Sequence, residues 1–250
     1  MKYVRYSAGG ANAYGVLDGD SIHELRGNFL NGEERTGKTL RLADVKLLAP
    51  CEPQKVVAVG LNYKSHVGDR ATKPYPGLFW KPNTTIIATG EEIVFPEGAT
   101  NVHYEAELVL VIGKKASKVS KEDAPNYIFG VTAGNDVSER DWQKNDLQWF
   151  RAKGSDTFGP LGPSIVTGLN TNDLLVQSRL NGEVRQSQRT SDLLFDIPTI
   201  VSYVTQFVTL VPGDVIFTGT PGQTKPMAPG DTIEIEVEGV GVLRNKIAAR

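Results

Sequence analysis

Apolar and polar positions alternate with a period of two along much of this chain, and a helical period shows in only a few places. Lys2 to Tyr6, Tyr14 to Leu17 and Ser21 to Leu25 read as short strands, with a turn at Asp18-Gly19-Asp20 between the last two. Leu48 to Lys55 carries two prolines and reads as a linker, after which Lys55 to Gly60 is a short buried strand. The pattern therefore predicts a small β-rich domain over 1–50 and a main domain over 51–250. Within the main domain His103 to Ile112 is a strand, and Phe129 to Asn135 is another that runs into Asp136. Asp231 to Asn245 alternates cleanly, with glycines where a hairpin would turn. Helices are expected in three places, one of them after Asp136, where helix-forming residues follow and Ser138 is a possible cap. Ser120 to Tyr127 begins on a capping serine with Asp123 three residues on, and Asp196 caps Ile197 to Leu210, which Pro212-Gly213 stops. The outcome is a mostly β (α+β) architecture with peripheral helices, not a doubly wound parallel sheet.

Composition narrows the class. The 26 glycines and 14 prolines in 250 residues suit many short strands with tight turns. A hydrophobic share of 40% with a formal charge of only -2 marks a globular chain, and gives no reason to expect nucleic acid or anionic membrane as a partner. The one cysteine, Cys51, can form no internal disulfide, and no base stands near it to make it a nucleophile. The start, MKYVRYSAGG, lacks the apolar core of a signal peptide, and no stretch approaches the ~18 apolar residues of a membrane span. A cytoplasmic protein is the expectation.

Residues 32–39, GEERTGKT, match the phosphate-loop pattern G-x-x-x-x-G-K-[ST]. That loop needs a buried strand before it and a helix after it. Arg26 to Asn31 is no buried strand, and Glu33 and Glu34 would repel the phosphates they should cradle. Nucleotide binding through Lys38 is thus a remote reading beside that of a solvated hairpin tip.

His103-Tyr104-Glu105-Ala106-Glu107-Leu108 carries more information. Side chains two apart on a strand share a face, so Glu105 and Glu107 are expected to point the same way, roughly 6.5–7 Å apart. From Leu108 on both faces are apolar, so the pair stands at the mouth of a buried strand, where like charges repel and hydration is lost. A shared proton, a pair of basic residues or a metal ion must compensate. Glu234, Glu236 and Glu238 also alternate, but against a uniformly apolar opposite face, which reads as a solvated surface. Asp136, just past its strand, is a candidate third ligand. Three carboxylates suit Mg²⁺ or Mn²⁺, whereas the three scattered histidines argue against zinc.

Six motifs now fall in a familiar order. They are Val59-Gly60-Leu61-Asn62-Tyr63 with His66, then Phe79-Trp80-Lys81-Pro82, then the His103 to Leu108 stretch. Gly134-Asn135-Asp136-Val137-Ser138-Glu139-Arg140-Asp141 follows, then Ala152 to Pro160 (AKGSDTFGP) and Pro212 to Pro221 (PGDVIFTGTP). Over roughly residues 50 to 250 the chain resembles the fumarylacetoacetate hydrolase family. The resemblance implies a mixed β-roll, usually a homodimer, with Mg²⁺ or Mn²⁺ on Glu105, Glu107 and Asp136. It implies Arg140, Gln143, Lys153 and Thr220 around the substrate, with Lys153 and His66 in catalytic roles. His66 pairs in such enzymes with an acid, often a glutamate three residues on. Here Asp69, one methylene shorter, stands at that place. Lys64 to Gly77, with Gly68, Pro74, Pro76 and Gly77, has the composition of a mobile lid.

The implied substrate is a small 2-oxo acid that yields an enolate stabilised by the cation. Hydrolysis of a C–C bond in an acylpyruvate-type acid leads. Decarboxylation or isomerisation of a 2-oxo or 2-hydroxydienoate dicarboxylic acid, oxaloacetate included, is the alternative.

Overall fold

The computed structural model describes residues 1–69 and 72–249. The N-terminal stretch is a meander of β1 (Lys2–Ala8), β2 (Ala11–Asp18), β3 (Ser21–Leu25), β4 (Arg35–Arg41) and β5 (Lys46–Leu48). Next come β6 (Val56–Gly60), the short α1 (Lys64–Val67), β7 (Gly77–Lys81), β8 (Ile86–Ile87), β9 (Glu92–Phe95), β10 (Val102–His103) and β11 (Ala106–Ile112). After β12 (Ile128–Asn135) and β13 (Ser138–Glu139) stand two small helices, α2 (Arg140–Asn145) and α3 (Phe150–Gly154). The remainder is β14 (Gly159–Val166), β15 (Leu175–Leu180), β16 (Glu183–Arg189), α4 (Ile197–Phe207), β17 (Val215–Phe217), β18 (Thr232–Val237) and β19 (Gly241–Ala249).

The protein is mostly β. A large sheet runs β4-β3-β2-β1-β14-β12-β11-β17-β6-β7, with β5 on β1 and β8 on β14; a smaller one runs β16-β15-β18-β19-β9. All seven residues of β11 are buried, and the alternation of its side chains explains why both faces are apolar. Leu108, Leu110 and Ile112 pack with α4 and with Val176, Ile233 and Leu243 of the small sheet. Val109 and Val111 face the other way, onto a core with Val56, Phe217, Tyr3, Val16 and Phe29. The N-terminal meander contributes to that second core and continues the large sheet, since Tyr3 of β1 pairs with Ile165 of β14.

Several local expectations are corrected. The strand predicted over 103–112 is broken at Tyr104 and Glu105, because the Asn135 side chain accepts from the Glu105 N–H at 2.9 Å and bends the chain out of the ladder. Ser138 is not the helix cap. It pairs with His103 and donates its Oγ to the Asp136 carbonyl, while Glu139 caps α2 through the Trp142 N–H at 2.6 Å. The Ser120–Asp123 capping contact forms, but Pro125 prevents an α-helix and leaves a 3₁₀ turn at Ala124–Tyr127. Helix α4 is capped by Asp196 as expected but ends at Phe207, not Leu210, because Leu210 instead pairs with Ala116. Residues 32–34 of the GEERTGKT segment lie in the exposed connection of the β3–β4 hairpin, and residues 35–39 run along the edge strand β4. Of the stretch expected as a lid, residues 70 and 71 lie outside the described part. No helix among the described residues is long and apolar enough to cross a membrane.

Candidate metal centre and its cleft

Antiparallel pairing assembles the acidic cluster. In the β11–β12 ladder Ala106 faces Asn135 and Glu107 faces Gly134, so the entry of one strand lies beside the exit of the other. Glu107 on β11, Glu105 just before it and Asp136 just after β12 therefore converge, with a carboxylate oxygen of each within 4.8 Å of the others. Gly134 leaves room for this packing, since a Cβ there would come within 2.5 Å of the Phe217 ring and Val109. All three acids are buried, at 4%, 1% and 1% exposure.

Three cations surround them. Lys153 of α3 donates to Glu105 at 2.7 Å and to Asp136 at 2.5 Å. Lys81, at the end of β7, donates to Asp136 at 2.6 Å and to the Lys153 carbonyl. Arg140 donates to Glu105 at 2.6 Å, to Thr224 Oγ1 at 2.8 Å and to Gln143 Oε1 at 2.8 Å. Glu107 differs from its neighbours: among the described residues no lysine or arginine pairs with it, and the Gly219 N–H donates to it at 2.7 Å. Gly219 must be glycine, because its φ is +105° and a Cβ would lie 2.7 Å from that of Asn62.

The electrostatics follow from these contacts. Burial works to raise Glu105, but Lys153, Arg140 and His66 outweigh it and hold the carboxyl below the usual range. Burial, then the charges of Asp136 and Glu105, push Glu107 well above that range. Burial lowers Lys81, with Asp136 opposing, whereas at Lys153 the attraction of Asp136 and Glu105 overcomes burial and raises it. A buried oxygen-only donor set with one carboxylate left short of positive charge is what a hard divalent cation requires, so these residues fit Mg²⁺ or Mn²⁺.

A cleft opens above the cluster. Its floor is lined by Glu105, Lys153, Thr220, Gln143 and His66. Its outer part, of about 570 Å³, is lined by Arg140, His103, Lys144, Trp149 and Thr224 among others. Eight of the nine predicted site residues thus meet here, and Asp69 does not: it lies exposed, and His66 Nδ1 instead meets the Gly222 carbonyl at 2.7 Å. A carbonyl can only accept, so Nδ1 carries the proton and the neutral ring keeps its lone pair on Nε2. Burial lowers the pKa of His66, with Glu105 and Gly222 opposing.

Two participants carried no role in the sequence reading. Lys81 had a usable signal: it shares a strand face with Phe79, whose ring lies 5.2 Å from Lys153 Nζ, so it points inward. Gln186 had none, since β16 reads as a polar strand. Lys38 of the phosphate-loop pattern pairs with Glu24 at 3.1 Å on an exposed strand, and only a three-residue 3₁₀ turn at Leu42–Asp44 follows, where an anion cradle needs an α-helix.

A family model described as fumarylacetoacetate (FAA) hydrolase C-terminal matches residues 55–248, and one described as Rv2993c-like, N-terminal matches residues 1–50. The chain is 43% identical to 5-carboxymethyl-2-hydroxymuconate delta-isomerase from Mycobacterium smegmatis, whose crystal structure superposes with a TM-score of 0.95 over 100% of both chains. It is 40% identical to human mitochondrial oxaloacetate tautomerase FAHD2A, over 82% of this chain and 70% of that one. The maleylpyruvate hydrolase of Sphingobium sp. SYK-6, solved with manganese(II) and pyruvate, is 29% identical, with a TM-score of 0.83 over 100% of this chain and 99% of that one.

Proposed function

This chain belongs to the fumarylacetoacetate hydrolase family, and from that premise we propose that it is a divalent-metal-dependent enzyme that enolises a small 2-oxo dicarboxylic acid, in the manner of a tautomerase or isomerase. The observation that carries this reading is the buried cluster of three carboxylates and three cations. Glu105, Glu107 and Asp136 would hold the cation, which when bound supplies Lewis-acid stabilisation of an enolate oxygen. The chain's own charges in the cluster balance: Glu105, Glu107 and Asp136 against Lys81, Lys153 and Arg140. Whatever positive charge a cation adds is then met by the ligand, which favours a doubly anionic species such as a carboxylate with an enolate.

Lys153 and Arg140 attract the substrate carboxylate, and Lys153, buried at the cleft floor, donates toward developing negative charge. Thr220 offers its hydroxyl to the carboxylate. His66, neutral at pH 7 because burial lowers its pKa and fixed through Nδ1, takes the C3 proton on Nε2. The related isomerase and tautomerase support this outcome.

Acylpyruvate hydrolysis is the second reading. The maleylpyruvate hydrolase and the His66 geometry favour it, because the same Nε2 would accept a proton from water. Asp69 lies exposed, and the Gly222 carbonyl orients the ring through Nδ1.

Mg²⁺-loaded protein incubated with oxaloacetate should accelerate enol–keto exchange, seen as loss of enol absorbance without release of pyruvate. Incubation with an acylpyruvate separates hydrolysis by the carboxylic acid released. No turnover of either class, together with no Mg²⁺ or Mn²⁺ uptake by calorimetry, would overturn the proposal.

A further inference from the structure

Gln186 lies on β16, the edge strand of the small sheet, yet it is only 2% exposed and reaches across to the metal-centre strand. Its Oε1 accepts from the Ala106 N–H at 3.1 Å, between the two glutamates. Its Nε2 donates to the Pro221 carbonyl at 2.6 Å and to Thr220 Oγ1 at 2.8 Å. A backbone N–H can only donate and a carbonyl can only accept, so the orientation of the amide is determined and its second N–H must go to Thr220. Thr220 therefore has one lone pair occupied, and its single proton goes to the Ala106 carbonyl at 2.9 Å.

We infer that Gln186 is a positioning residue that acts through Thr220. By supplying the donor to the Thr220 oxygen, it leaves that hydroxyl only its own proton to give. The proton rests on Ala106 in the free protein and turns to an anionic oxygen of the ligand at the cleft floor. This role rests on the reading that Thr220 meets the carboxylate of a 2-oxo acid.

The test is a double-mutant cycle on Mn²⁺-loaded protein, with oxalate affinity measured by calorimetry. Gln186→Glu keeps the acceptor for Ala106 and removes the donors; Thr220→Val removes the hydroxyl. Each single change should weaken oxalate about tenfold, and the double variant also about tenfold, with Mn²⁺ affinity within about twofold of wild type. A loss near a hundredfold in the double variant, or none in Gln186→Glu, would overturn the role while leaving the proposed function standing. Wild-type protein that takes up Mn²⁺ but binds no oxalate would sink the 2-oxo acid reading and this role with it. Should Gln186→Glu fail to fold, the side-chain amide resonance of Gln186 in Mg²⁺-loaded protein decides. It should move on oxalate addition in wild type and stay still in Thr220→Val; movement in both would refute the role.

Discussion

At the residue scale, Glu107 is buried beside two other carboxylates, with a backbone donor at Gly219 and, among the described residues, no paired cation. Such a group opposes folding until a cation arrives. Glu107→Gln should therefore raise the metal-free melting temperature by about 2–4 °C for each kcal/mol relieved. It should also weaken Mn²⁺ uptake by more than the roughly 10–100-fold typical of outer-sphere changes. Calorimetry with and without metal reads both. His103 gives a pH prediction. Burial, then the Arg140 charge, lowers its pKa from 6.5 to about 4, with Glu105 opposing. On acidification the unfolded chain takes up this proton near 6.5, while the folded chain resists until about 4. Stability from this group is thus present above the unfolded value and lost as pH falls through that window. Melting curves between pH 7 and 5 should show a steeper loss for wild type than for His103→Gln. The imidazole was visible in the sequence. Its neighbour Arg140 came from a distant segment, so the size and sign of the shift were not.

At the element scale, β11 and β12 were legible as short runs buried on both faces, and α4 and the β18–β19 hairpin as a helical stripe and an alternation that bury one face. Their ends were less legible. Ser120–Tyr127 lost its helix to a proline inside it, a signal present in the sequence. The end of α4 depended on Leu210 meeting Ala116, a contact no local pattern announces. Where the local signal was right, its energy is testable: Asp196 accepts from the Thr199 N–H at 2.9 Å, and Asp196→Ala should cost about 1 kcal/mol. Leu110→Ala, in the fully buried strand, should cost about 2–5 kcal/mol. Chemical denaturation orders the two, and a reversed order would refute the assignment of β11 as the shared wall of both cores.

At the scale of the whole molecule, the candidate metal centre is where the large sheet, α3 and the Gly219 loop meet, so binding there would be coupled to global folding. Mn²⁺ at a hundred times its Kd should add about 2.7 kcal/mol of stability, seen as a higher melting temperature that a chelator reverses. That increment should be largely absent in Glu107→Gln. The sequence alone determined the β-rich class and singled out Glu105, Glu107 and Asp136 as an acidic group, because alternation on a strand and burial of a charge are both written locally; His66, Arg140, Gln143, Lys153 and Thr220 were named only through the family resemblance. Only the tertiary structure set Lys81 against Asp136, Gln186 against Thr220 and His66 Nδ1 against the Gly222 carbonyl, with Asp69 exposed. A hydrogen bond between residues 34 to 156 positions apart depends on how strands pair across the sheets, and no spacing along the chain encodes that pairing.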